Sequence, residues 1–171
     1  MANWEREPAE SGAYLAYGDR RRDFEGKLTA LSRFLEQHDV GSLKPSSCFV
    51  TYINHVELRG VAEYGPLLQK ALAFWSNTTS DGWLPPVEAA TANLTFTMPD
   101  KLGRLHVGFA PAYRNEDKKY MLRLELTARG MPREASIPAS LDWLDIGHEW
   151  IVRGFTSLTR PEMHKTWGRT Q

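Results

Sequence analysis

Apolar positions along this chain recur with two different periods, and the switches between them predict the order of elements. From Asp23 to His38, Phe24, Leu28, Leu31, Phe34 and Leu35 keep helical spacing, and Gly41 stands just past the end. Cys48 to Leu58 alternates instead. Cys48, Val50, Tyr52, Val56 and Leu58 share one face with Asn54 among them, while Phe49, Thr51, Ile53, His55 and Glu57 share the other. Val61 to Ser76 returns to the helical period, with Leu67, Leu68, Ala71, Leu72 and Trp75 on one side.

Three alternating runs follow. Ala90, Ala92, Leu94, Phe96 and Met98 form the first, Leu105, Val107 and Phe109 the second, and Tyr120, Leu122, Leu124 and Leu126 the third. Period-2 patterning means one apolar and one polar face, as antiparallel strands have. Turn-forming stretches at Pro99 to Gly103 and Asn115 to Lys119 join them into a meander.

A long helix is predicted from Ser140. Leu141, Leu144, His148, Ile151, Val152, Phe155 and Leu158 make one stripe, and Trp143, Gly147, Trp150 and Gly154 make a second beside it. Thr159-Arg160-Pro161-Glu162 matches a capping box and opens a short last helix carrying Met163 and Trp167. Residues 1–18 are weakly patterned and read as a loose arm with a short strand at Tyr14 to Tyr17. Residues 19–171 then form a single α+β domain. Its antiparallel sheet holds the meander plus at least one further strand, and helices cover one face, including the long C-terminal one. On this reading Leu94, Phe96, Leu105, Val107, Leu122 and Leu124 are buried under the helix Leu141 to Leu158.

Composition adds exclusions. Lys plus Arg and Asp plus Glu both count 21, so the formal net charge is zero. Nucleic acid is not expected as a partner, because phosphate binding needs surplus cations on one face. The dense basic run Arg20-Arg21-Arg22 is bracketed by Asp19 and Asp23 and so is expected to be self-neutralised. The lone Cys48 rules out an internal disulfide and any cysteine-rich zinc site, and reads as a small core residue. No apolar run approaches the roughly 20 residues of a spanning helix, and the first residues lack the apolar core of a secretory signal. A cytoplasmic protein with no membrane association is expected. Zero net charge offers little repulsion between copies, and six Trp add sticky surface, which together favour a protein partner or a homo-oligomer.

Three segments carry a resemblance. "VTYINHVE" at Val50 to Glu57, "GRLHVGFAPAYR" through "LRLELTARG" at Gly103 to Gly130, and "LDIGHEWIVRGFTSLTRPEMHKTWGR" at Leu144 to Arg169 resemble a sporadically distributed family of uncharacterised bacterial proteins. That family shows a Y-[IV]-N strand, a β-meander, and a C-terminal helix reading H-E-x-I-V-x-x-F before a terminal W-G. The likeness spans Phe24 to Arg169. Full-length relatives look longer, with N-terminal strands opening near P-x-V-E-A, so the chain resembles their C-terminal two thirds. The resemblance implies the fold and brings no activity, cofactor or catalytic residue. The sporadic distribution implies an accessory function, such as a role in bacterial defence or toxin control.

Candidate chemistry is sparse. His55, Glu57, His106, Arg123 and Glu125 fall on polar strand faces that one sheet would share. Two His and two Glu there suit zinc or an acid–base pair, and equally suit a solvated face with cross-strand ion pairs. Their spacing matches no metal motif, and no metal ion is expected. His148-Glu149 begins H-E-x-x-V rather than H-E-x-x-H. His148 is expected to be buried against Asn54, with that pair as an alternative pocket lining. No nucleophile elbow and no glycine-rich phosphate loop is present. Trp143, Trp150 and Trp167 read either as core or as an interface. Two functions survive. One is a non-enzymatic interaction or accessory protein without a cofactor. The other is a helix-grip-like domain that binds or hydrolyses a small apolar ligand held between long helix and sheet.

Overall fold

The computed structural model describes residues 16–76 and 82–166. Helix α1 spans Tyr17–Gln37, strand β1 Cys48–Leu58, helix α2 Tyr64–Ala71, and strands β2, β3 and β4 Ala92–Met98, Gly103–Arg114 and Lys119–Gly130. Helix α3 spans Ile137–Leu158 and α4 Pro161–Thr166. The strands form one four-stranded sheet in the order β1-β4-β3-β2, antiparallel throughout. The expected α+β class, the meander and the further strand are all present, and β1 keeps the bounds its alternation predicts.

Register sorts every strand residue onto one of two faces. Tyr52 opposes Leu126 and Val107 opposes Leu126 from the other side, so these three lie in one row on the helix-covered face. Leu105, Val107, Phe109, Leu122, Leu124, Leu126 and Ala128 are buried there with Trp143 and Ile151 of α3. Leu94 is only half-buried and Phe96 remains 39% exposed, contrary to expectation. Both sit on β2, an outer strand, whereas α3 packs on β1 and β4.

Helix α3 turns the side between its two apolar stripes to the sheet. Leu141, Trp143, Gly147 and Ile151 are its buried apolar line. At Gly154 an added Cβ would lie 2.7 Å from Leu105 Cδ2, so the missing side chain lets the helix sit directly on the strands. Gly130 permits a closer approach: a Cβ there would run into the Leu102 carbonyl and the Trp143 indole. The Trp143 indole fills that corner and donates Nε1–H to the Leu102 carbonyl at 2.8 Å.

Several boundaries shift for local reasons. β3 runs past Phe109, the last of its predicted alternating positions, through Pro111 to Arg114, and beyond Phe109 it pairs with β4 alone, so Pro111 lies where β3 has become an edge strand. The helix expected over Val61 to Ser76 shrinks to a 3₁₀ turn at Val61–Glu63 and α2. Leu72 turns extended and bridges Thr159 at the α3–α4 junction, where Arg160 N–H also bonds the Ala71 carbonyl at 2.9 Å. Thr159 does not open a capping box. Its hydroxyl contacts the Phe155 carbonyl at 2.5 Å and His164 Nε2 at 2.7 Å. Tyr17 belongs to α1 and Ala16 caps it rather than joining a strand, while Tyr14 and Leu15, like Trp167, lie outside the described residues. Among the described residues no helix is long and apolar enough to cross a membrane.

Candidate functional site

The uncovered sheet face holds the predicted polar residues, but not as one cluster. Rows across it read Thr97, Arg104, Arg129, Phe49, then Thr95, His106, Thr127, Thr51, then Asn93, Gly108, Glu125, Ile53. Ala110, Arg123 and His55 follow. Gly108 and Ala110 leave the floor low, and Asn93, Thr95, His106, Arg123, Glu125 and Thr127 wall a trough of about 330 Å³.

The trough walls are largely spent on one another. Arg123 and Glu125 pair at 2.5 Å, Thr51 and Thr127 share a hydrogen bond at 2.8 Å, and Thr95 bonds His106 Nδ1 at 3.2 Å. His55 sits opposite Arg123 on the neighbouring strand. Glu57 is drawn away from the trough. Its carboxylate takes hydrogen bonds from Lys119 at 2.8 Å and Arg114 at 2.6 Å, which hold its pKa below the usual range. Arg114 also grips Asp117 and lowers its pKa to about 2. Among the described residues no three His, Cys, Asp or Glu side chains come close enough to share a metal ion. The contacts within the trough are the cross-strand pairs Thr51–Thr127 and Thr95–His106, with Arg123 and Glu125 paired along β4.

His148 is half-buried, and its partner is Tyr52 rather than Asn54. The Tyr52 hydroxyl meets His148 Nδ1 at 2.8 Å, two residues along the same strand face from Asn54. The other side of the imidazole stacks on Tyr17, with ring centres 3.9 Å apart and planes 3° from parallel. Tyr17 donates its hydroxyl to Asp145 at 2.9 Å, and Arg21 donates Nε–H to the same carboxylate at 2.9 Å. Burial lowers the His148 pKa, with Asp145 pulling the other way. Burial and the Asp145 bond push the Tyr17 phenol far up. This junction ties the start of α1 to α3. Helical spacing puts Tyr17, Arg21 and Phe24 on one face of α1, yet nothing local to either helix marks Asp145 and His148 as their targets.

Beyond that junction α1 is barely covered. None of its residues is buried, and Leu31 and Phe34 are 44% and 54% exposed. Phe24, Leu28 and Leu35 are half-buried, and Val40 just past the helix is 66% exposed. Of the three Trp residues that read either as core or as an interface, two are described. Trp143 is 2% exposed and belongs to the core, and Trp150 packs half-buried against it. The basic run at the start of α1 is paired as its neighbours suggest, with Arg22 on Asp19, although Asp23 takes Lys27 at 2.7 Å. Cys48 is buried with its thiol pKa raised by burial, as a core residue should be. No protein-family model, no curated protein and no solved structure matches this chain.

Proposed function

We propose that this chain is a non-enzymatic protein-interaction module, and that its principal contact is the apolar stripe of α1 pairing with α1 of a second copy. The observation carrying this is a 21-residue helix with no buried residue, whose apolar side nonetheless keeps helical register from Phe24 to Leu35. A helix patterned for burial is ordinarily covered, and exposed Leu and Phe at this spacing mark a contact surface. The flanks of the stripe carry Asp19, Asp23, Glu25 and Glu36 with Arg22, Lys27 and Arg33. Mixed signs of this kind suit an antiparallel helix pair, and zero net charge removes long-range repulsion between copies.

The small-ligand reading has less room. Where a helix-grip ligand would lie, Trp143, Leu105, Leu126 and Ile151 fill the space, and Gly154 brings α3 onto the strands. Concentration-dependent hydrogen exchange tests the proposal. Amides of Phe24 to Leu35 should gain protection as protein concentration rises a hundredfold from the low micromolar range, while β4 amides do not change. Protection of α1 that ignores concentration would overturn the pairing.

A further inference from the structure

We propose that the Arg104–Arg129 end of the open sheet face binds the carboxylates of an extended acidic peptide segment in a partner protein. The two arginines stand directly opposite each other on β3 and β4, both exposed. Like charges in that relation destabilise a sheet. Other cations of the chain are neutralised where they crowd: Arg21 by Asp145, Arg114 by Glu57 and Asp117, Arg123 by Glu125, Arg153 by Glu149. No carboxylate among the described residues forms an ion pair with Arg104 or Arg129. Side chains opposed in this way start about 5 Å apart, so two guanidinium forks can converge on one carboxylate, which a planar five-donor group binds in bidentate fashion.

The rest of the row narrows the ligand. Phe49, 48% exposed, lies beside Arg129, and Thr97 lies beside Arg104. An extended peptide with an apolar residue two positions from an acidic one satisfies both. A nucleic acid strand does not, because two rows further on it meets Glu125, and further still Glu57, with no continuous basic track. The corner is held firmly in advance. Gly103 and Gly130 form the adjacent cross-strand pair, and the Trp143–Leu102 bond pins the turn that leads into Arg104. This inference shares with the α1 proposal only the premise that the chain works by binding protein, and the two are tested on different residues.

The probe is a fluorescein-labelled peptide repeating Glu-Ser-Leu-Ser, which puts Glu and Leu on one side of an extended chain, followed by anisotropy against the full chain. Saturable binding is expected, weakened at least about tenfold in Arg104→Gln/Arg129→Gln and by added salt. Arg59→Gln, an exposed arginine outside both proposed contacts, should bind as the parent does. Removing the opposed charges should leave the urea midpoint unchanged or raised, which shows the double variant folded. Absence of binding, equal binding by the double variant, or tighter binding of labelled oligothymidylate through the same arginines would each overturn the assignment.

Discussion

Tyr17, Tyr52, Arg21 and Asp145 converge around His148, and the imidazole is the piece that touches both α1 and the sheet. His148→Ala removes the stacking surface for Tyr17 and the partner of the Tyr52 hydroxyl. A loss of about 1–3 kcal/mol in urea denaturation is expected, the cost typical of stranding a partly buried polar group. An unchanged midpoint would show that the junction contributes nothing. The pH dependence follows from burial. The folded imidazole has a pKa below its ordinary value of 6.5, so near and below that pH the unfolded chain binds more protons. Stability should therefore be complete well above 6.5 and fall as pH drops through and below it, with a smaller fall in His148→Ala. At the alkaline end the sign reverses. Burial raises the Tyr64 pKa to about 12 and that of Tyr17 further, so stability should decline as pH climbs past the ordinary phenol value of 10.0. A flat profile at both ends would contradict these assignments.

Among the elements, α3 tests how closely helix and sheet are fitted. Gly130→Ala places a methyl against a backbone carbonyl and the Trp143 ring, neither of which can move cheaply. It should cost at least the ~1–3 kcal/mol of an overpacked site. Gly154→Ala meets only the end of Leu105, which can rotate, and gains the roughly 1 kcal/mol by which Ala exceeds Gly in a helix. Urea midpoints should thus separate the two, with Gly154→Ala near the parent. Equal losses would mean that both close approaches are wrongly described. The elements also show what was legible beforehand. β1 could be bounded to the residue because Cys48, Val50, Tyr52, Val56 and Leu58 keep one face with only Asn54 interrupting it. The Val61 to Ser76 helix could not, since Leu72 keeps helical spacing while its backbone is claimed by a bridge to Thr159, 87 residues away.

At the scale of the molecule, periodicity told which residues share a face, and that sufficed for the sheet, its order of strands in the meander and the long helix over it. It could not tell which side chains reach each other. Asn54 and Tyr52 are equivalent by period, and only the length of the Tyr side chain brings a hydroxyl to His148. Nor could it tell that Trp143 would be swallowed by a glycine-lined corner, while Leu31 and Phe34 on the α1 stripe stay exposed. His55, Glu57, His106, Arg123 and Glu125 do share the polar face, but Arg114 and Lys119, contributed by the β3–β4 hairpin, capture Glu57.

Sedimentation velocity of the parent and of Leu31→Glu/Phe34→Glu across the micromolar range bears most directly on the α1 pairing. Both substitutions are on exposed positions, so circular dichroism and the urea midpoint should change little. The parent should sediment as a dimer that dissociates on dilution, and the double variant as a monomer at every concentration. A parent that is monomeric throughout, or a variant that dimerises as the parent does, would contradict the account.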